Sequence, residues 1–305
     1  MTSTKARRGS TRIIEALEPG VLSLTYTDQW SAFDRGSSPQ LIPGIGQARF
    51  ACAVRSFDLA HGAGLPTHFI DYRRPHTLLV EEFSVPGSES LSGKVHGRVL
   101  PLEWIWRAYV KGSLWARIEA GEVDPTTLGF RRGKKVKEGM KLPRLLLECT
   151  TKFESVDRHL SPREAQGLAK LTQPQWDTAC ELIVRGQRVI GEAYEAEGFY
   201  GPDGKFELGM KRDGKIVFVD VFGTPDENRI IHTSSGRVYS KDLVREYFKL
   251  RHPIWMKSLA EAKKLYPNEK DRWPQYPTLP LSEIRLVSHR YAQFARHYSR
   301  MDIAK

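Results

Sequence analysis

Two carboxylates and a lysine occupy one short stretch of the chain in a pattern that could do phosphate chemistry. Lys205-Phe206-Glu207-Leu208-Gly209-Met210 and Ile216-Val217-Phe218-Val219-Asp220-Val221-Phe222 flank Lys211-Arg212-Asp213-Gly214-Lys215. Asp213-Gly214 between alternating segments reads as a two-residue hairpin turn, since both central positions tolerate positive φ. That turn predicts Glu207 directly opposite Asp220, with Cβ atoms ~5 Å apart. The alternation assigns Phe206, Leu208, Met210, Val217, Val219 and Val221 to the core face. The other face then carries Lys205, Glu207, Gly209, Phe218, Asp220 and Phe222. Opposed carboxylates repel, and a divalent cation would relieve that cost; Mg²⁺ prefers one or two carboxylates completed by phosphate oxygens. Neutralisation by Lys205 is the alternative, and the hairpin alone leaves both open.

Other residues extend the theme. Arg107 offers a planar donor fork for a phosphate, and Gly112-Ser113 offers close backbone approach with a hydroxyl. Gly223-Thr224-Pro225-Asp226-Glu227-Asn228-Arg229 is a polar loop leaving the strand of Asp220, suited equally to substrate contacts or to a plain connection.

The elements that must position these residues read as α+β. The first third is β-rich, with strands over Val21–Tyr26 and Thr77–Val80 and one helix from Gln47 to His61. Further helices are expected at Pro162–Leu171, Pro174–Glu197, Ser240–Leu250 and Ser282–Tyr298, with Trp273–Pro280 as an extended connector. In the longest, Trp176, Cys180, Ile183, Gln187, Ile190 and Tyr194 recur at helical spacing and read as core. The expected division is residues 1–84 as a β-rich lobe and 85–305 as a mixed lobe carrying metal and substrate sites.

The 305 residues are 40% hydrophobic and 27% charged, an ordinary globular composition. No apolar run approaches the roughly 18–20 residues of a membrane helix, and Met1–Gly20 lacks the apolar stretch of a signal peptide. A cytoplasmic chain without a membrane partner is expected. Cys52, Cys149 and Cys180 have no metal-ligand spacing and read as small buried apolar residues. The net charge of +11 implies anionic partners. The basic run Arg131-Arg132-Gly133-Lys134-Lys135-Val136-Lys137 lacks interleaved aromatics and reads as a solvated loop, so no nucleic-acid partner is expected. There is no Gly-x-x-x-x-Gly-Lys-Ser/Thr loop and no complete dinucleotide fingerprint. The aromatic stretch around Trp255 and Trp273 fits an oligomer interface as readily as a core.

Taken in order, the motifs resemble the SAICAR synthetase family of purine biosynthesis. Pro101 to Ser113 stands where that family has Pro-x-Glu-x-x-x-Arg…Gly-Ser, and Asp203-Gly204-Lys205-Phe206-Glu207-Leu208-Gly209 stands for Asp-x-Lys-x-Glu-x-Gly. Thr27–Asp34, Pro66–Phe69, Thr150–Glu154 with Asp157-Arg158, and Thr224–Arg229 also match, over nearly the whole chain. The resemblance implies a ligase that uses Mg-ATP to phosphorylate a phosphoribosyl-aminoimidazole carboxylate, whose acyl phosphate is then attacked by the amine of L-aspartate. It implies Glu207 and Asp220 as metal ligands at the ATP phosphates. Lys205 would contact the reacting carboxylate or γ-phosphate, and Arg107, Ser113 and Arg229 would grip the ribose phosphate. Asp34 and Asp157 would lie near the aminoimidazole and its carboxylate. A kinase-like ATP site between two lobes would place adenine near Leu79, Val80, Glu81 and Phe83, with Ser10 and Arg12 toward the phosphates.

The sequence departs from the family at two lysines: Gly9-Ser10-Thr11-Arg12 stands for Gly-Lys-x-Arg, and Pro43-Gly44-Ile45-Gly46 for Pro-Gly-Lys-Gly. Glu81-Glu82 stands where many members are basic. Arg12 or Lys5 would have to supply the missing charge. These exchanges leave open a paralogue of specialised nucleoside metabolism that joins a related carboxylate or amine. An inactive, basic nucleotide- or nucleic-acid-binding protein is a third reading, and the retention of Lys205, Glu207 and Asp220 together argues against it.

Overall fold

The computed structural model describes residues 6–154 and 156–301. The amino-terminal sheet is built from β1 (Ala6–Arg8), β2 (Arg12–Glu18) and β3 (Val21–Tyr26), which run on as antiparallel neighbours. After the short pair β4 (Gln29–Ser31) and β5 (Ser37–Leu41) the chain enters the helix α1 (Ile45–Gly62), then β6 (Phe69–Arg73) and β7 (Thr77–Glu81). These close a five-stranded sheet in the order β1-β2-β3-β7-β6.

A second sheet begins at β8 (Phe83–Ser84), parallel to β9 (Gly97–Val99). Next come β10 (Leu102–Tyr109), α2 (Gly112–Glu119), β11 (Lys141–Thr151) and β12 (His159–Leu160). Helices α3 (Pro162–Ala169) and α4 (Gln173–Ala196) follow, then β13 (Phe199–Tyr200), β14 (Asp203–Lys211), β15 (Ile216–Val219) and β16 (Ile231–His232). The chain continues through α5 (Asp242–Arg251), α6 (Pro253–Leu265) and α7 (Leu281–Ser299). The sheet order is β12-β11-β10-β14-β9-β8, and β15 also pairs with β14.

Local signals explain the helix starts. Ser161 and Thr172 each form a capping box with Glu164 and Gln175, and a proline opens each first turn, where a missing N–H costs nothing. The buried stripe of α4 is Ala179, Leu182, Ile183, Gly186, Ile190 and Tyr194; Trp176 and Cys180 pack at its edge and Gln187 is half-buried. Helices α1 and α5 start within two residues of expectation, whereas α2 and α6 had no clear sequence signal. Residues 131–137 form an exposed loop, and Cys52 and Cys149 are buried thiols pushed up by desolvation. Among the described residues no helix is long and apolar enough to cross a membrane.

Alternation in the second sheet separates chemistry from core. Trp104, Trp106, Phe206, Leu208 and Cys149 face the main hydrophobic cluster. Glu103, Ile105, Arg107, Thr150, Asp203, Lys205 and Glu207 line a polar cavity on the opposite face. The registers Arg107↔Asp203 and Ile105↔Lys205 set these side chains next to one another.

Candidate active site

The hairpin has a different register from the one expected. Glu207 pairs with Val219, Leu208 with Phe218 and Gly209 with Val217. The cause lies in the turn: Gly214 N–H donates to the Lys211 carbonyl and Lys211 N–H to the Lys215 carbonyl, so the loop is one residue longer than a two-residue turn. Gly214, at φ 86°, takes the left-handed position of that loop. The one-residue slip exchanges the two faces of the second strand. Phe218 joins Phe206 and Leu208 in the main core, whereas Val217 and Val219 form a small cluster with Phe83 and Val99.

Asp220 reaches the site by another route. It follows the end of β15 with φ 60°, a left-handed conformation uncommon outside glycine, and its carbonyl is hydrogen-bonded to His68 Nε2 at 3.0 Å. Val219, Glu207 and Asp220 thereby line one apolar cleft of about 280 Å³, together with Ile14, Leu22, Val80, Phe83 and Val99. A Cβ on Gly209 would lie 2.7 Å from Phe83 and 2.8 Å from Val219, so the glycine is what lets these cleft walls approach.

The polar cavity, of about 760 Å³, adjoins this cleft. Arg12, Lys152, Glu207 and Asp220 line both spaces and so mark their seam. Cations compensate the two carboxylates there. Arg12 Nη2 lies 2.6 Å from Asp220 Oδ1, and Lys152 is ion-paired with Glu207. Lys205 Nζ contacts Glu103 and lies 3.5 Å from Glu227 and 3.8 Å from Glu207. Burial and the nearby Asp220 charge push the Glu207 carboxyl up. Burial opposes ionisation of Asp220 too, but Arg12, Lys152 and Lys205 hold it down at about 2. Lys205 is held well above the usual lysine range by Glu227, Glu103 and Glu207, against the cost of burial. Among the described residues no three histidine, cysteine or acidic side chains gather to hold a metal by themselves. Any cation at the seam would need oxygens from a ligand as well as these carboxylates.

The far wall of the cavity is a guanidinium–carboxylate lattice. Arg107 donates from Nε to Glu148 at 2.5 Å, from Nη1 to Asp203 at 3.2 Å and from Nη2 to Ser113 Oγ at 3.0 Å. Arg229 pairs with the same Asp203 and, through Nε, with Asp242 at 2.6 Å. Both arginines converge on the start of α2, whose N-cap residue, Lys111, makes no side-chain cap. A helix start without a side-chain cap, a hydroxyl and two guanidinium groups is chemistry that suits an anion, although three carboxylates already pair with these arginines. Gly112 has φ 57°, and a Cβ there would lie 2.6 Å from the Arg229 guanidinium.

The structure therefore gathers Lys205, Glu207, Asp220, Arg107, Ser113, Arg229, Asp34, Asp157, Ser10 and Arg12 around the polar cavity. Val80, Glu81, Phe83 and Arg12 line the apolar cleft. One expected cleft residue needs correction: Leu79 alternates with Val80 on β7 and does not line the cleft, while Ser10 lines the polar cavity beside Arg12. Partial burial, with Glu103 and Asp34 nearby, pushes Asp157 up to about 6.

The departures at Ile45 and Glu81-Glu82 have local explanations. Ile45 is fully buried at the start of α1, and the neighbouring Gly44 and Gly46 N–H groups donate to the Asp28 carboxylate at 3.1 and 2.9 Å. Asp28 thus occupies the anion position at that helix end. Glu81 pairs with Lys211 at 2.7 Å, and Glu82 accepts from the Leu91 and Ser92 N–H groups, fixing the loop that roofs the cleft. Lys5 lies outside the described residues.

Sequence reasoning gave no role to Lys152, Glu103, Glu148, Asp203 or Asp242. Asp203 and Glu103 were recoverable, since 203, 205 and 207 share one strand face and 103, 105 and 107 another, and Lys152 stands in a segment that matches the family. Glu148 and Asp242 become site residues only through sheet pairing and helix docking.

The sequence pattern of SAICAR synthetase matches residues 5–262, and the chain belongs to that family. It is 33% identical to the phosphoribosylaminoimidazole-succinocarboxamide synthase of Thermoplasma volcanium, covering 88% of each chain. It is 31% identical to the putative enzyme of that name from Archaeoglobus fulgidus, over 81% of this chain and 79% of that one. The fold matches the SAICAR synthase of Saccharomyces cerevisiae complexed with SAICAR at a TM-score of 0.73, with 19% identity and coverage of 99% and 97%. A SAICAR synthetase in complex with ADP matches at 0.66, with 22% identity over 90% of this chain and all of the other.

Proposed function

We propose that the chain is an ADP-forming carbon–nitrogen ligase that joins L-aspartate to the carboxylate of a phosphoribosyl-aminoimidazole, the SAICAR-forming step of purine biosynthesis. The observation that carries this is the seam: an apolar cleft sized for a nucleotide base opens, through Glu207 and Asp220, onto a polar cavity that ends in an anion site. ATP takes the apolar cleft, in a lobe spanning 1–84 and closed by the lobe spanning 85–305. The ribose phosphate takes the start of α2, held by Arg107, Ser113 and Arg229.

Glu207 and Asp220 are the residues that would hold Mg²⁺; their hard oxygen donors suit that ion, which supplies charge against the ATP phosphates. Arg12, Lys152 and Lys205 then face the transferring phosphoryl group and the substrate carboxylate, where fixed cations stabilise charge developing on oxygen. A carboxylate oxygen takes the γ-phosphoryl group and ADP leaves. The neutral amine of aspartate attacks the acyl carbon, the carbon–oxygen bond to phosphate breaks, and one amine proton is lost. Asp157 and Asp34 line the polar cavity, where they would orient the aminoimidazole.

The test is incubation with Mg-ATP, L-aspartate and carboxyaminoimidazole ribotide, followed by mass spectrometry. The succinocarboxamide and one ADP per product are expected; ADP without amide, or product only from another carboxylate, would refute the assignment.

A further inference from the structure

The family match ends at residue 262, and the segment 263–280 beyond it is bonded to the loop between β4 and β5, whose Phe33 and Asp34 line the polar cavity. It holds the last turn of α6, a short helical turn at Lys270–Arg272 and an irregular run that reaches α7. That run lies alongside the loop between β4 and β5. The Tyr276 hydroxyl accepts the Ala32 N–H at 2.9 Å and has the Ala32 and Gly36 carbonyl oxygens within donating reach, the latter at 3.0 Å. Arg35 Nε donates to the Pro274 carbonyl at 3.0 Å, and Gln40 makes reciprocal bonds with Leu279 at 3.1 and 2.7 Å.

The loop so held carries two consecutive non-glycine residues with left-handed backbones, Phe33 at φ 55° and Asp34 at φ 56°. Such conformations persist only where the surroundings impose them. Lys263 reaches Asp34 Oδ2 at 2.9 Å from the end of α6 and draws the carboxyl below its ordinary value, against partial burial. The Asp34 side chain is still 44% exposed and lines the cavity, so the ion pair orients it without sequestering it. Buried Trp273 aims the cations: the Lys263 and Lys270 ammonium groups stand 5.4 and 5.5 Å from its ring centroid, and Lys270 also lines the cavity.

We propose that residues 263–280 are a strap that sets the loop from Ser31 to Gly36. Tyr276 and Lys263 are its positioning residues, and through Asp34 they determine how tightly the aminoimidazole carboxylate binds. The proposal rests on reading the cavity as the site of that nucleotide. Neither residue touches the apolar cleft, so ATP binding should not depend on them.

Tyr276→Phe keeps a ring that packs against Trp30 with centroids 4.8 Å apart and loses only the hydroxyl. The expected result is a roughly tenfold rise in KM for carboxyaminoimidazole ribotide, with KM for ATP held within about twofold. Hydrogen exchange should quicken at amides 31–36 and stay unchanged at 207–220. Lys263→Met should raise the same KM, and Lys263→Arg should restore most of it. An unchanged ribotide KM in both Tyr276→Phe and Lys263→Met, or an equal rise for ATP, overturns the proposal. If the wild-type chain fails to convert the ribotide, the functional reading falls instead. Exchange then decides the strap alone: a selective rise at 31–36 supports it, and no change overturns it.

Discussion

The carboxylate of Asp220 shares a cleft with that of Glu207 because Asp220 turns left-handed, at φ 60°, immediately after β15 ends. The pair is asymmetric. Asp220 lies against Arg12 and is held strongly ionised at about 2, whereas burial and Asp220 itself push Glu207 up, with Lys152 and Lys205 opposing. A ligand cation would therefore meet one fixed carboxylate and one whose charge depends on its neighbours.

Removal of either charge should stop the chemistry and spare the fold. Glu207→Gln and Asp220→Asn each leave the side-chain volume nearly unchanged, and each should lower ADP formation by roughly a hundredfold or more. Circular dichroism should stay close to wild type in both; Glu207→Gln should also melt close to wild type, whereas Asp220→Asn, which leaves Arg12 without its carboxylate, should melt lower at pH 7. Unchanged turnover in either variant would remove that residue from the metal and phosphate site.

Asp157 predicts a pH limb. With its carboxyl raised to about 6, it is protonated below that value and ionised above it. If the ionised form accepts from the substrate, kcat/KM should fall as pH drops through about 6, and Asp157→Asn should be slow with that limb missing. Stability carries the opposite sign. A carboxyl raised by folding contributes fully below its unfolded value and loses that contribution as pH rises through about 6. The Asn variant should therefore melt no lower than wild type at pH 7–8, which separates a role in binding from a role in folding.

Sequence patterns revealed most of the elements because helical and strand periods survive without knowledge of what packs where. The strand Val21–Tyr26 is one such case. The hairpin register did not survive, because Asp213-Gly214 fits two turn types that differ by a single residue. Only the bond from Lys211 N–H to the Lys215 carbonyl distinguishes them. Arg107 and Arg229 were recognisable through the family motif, but Glu148 and Asp242, which fix their guanidinium groups, come from a paired strand and a docked helix. Asp28 and Ile45 show the same limit: the lost lysine becomes intelligible once Ile45 is seen in the core and Asp28 at the helix end.

Gly209 should govern the width of the base cleft. Gly209 lies behind the cleft wall, where a Cβ would crowd Phe83 and Val219, so Gly209→Val would push these two lining side chains into space that the proposed adenine needs. The KM for ATP should rise by roughly tenfold or more, as expected when overpacking also displaces neighbours. The ribotide KM should change far less, because the displaced Phe83 and Val219 line the apolar cleft and not the polar cavity. Equal changes in both constants would point to general distortion of the sheet.

Gly112 offers the sharpest test of the anion site. Its left-handed backbone at φ 57° and its contact with the Arg229 guanidinium both exclude a side chain. In Gly112→Ala the new methyl must displace Arg229 from its pairing with Asp203 and Asp242, and the positive φ should cost about 1 kcal/mol of stability. If Arg229 and the start of α2 hold the ribose phosphate, the variant should raise the ribotide KM by roughly tenfold or more. It should leave the weaker KM for the dephosphorylated nucleoside nearly unchanged. The wild-type preference for the phosphorylated substrate would then shrink in Gly112→Ala, and added salt should weaken ribotide binding less in the variant than in wild type. An equal loss for ribotide and nucleoside would mean that the phosphate sits elsewhere and that Gly112 acts through the fold alone.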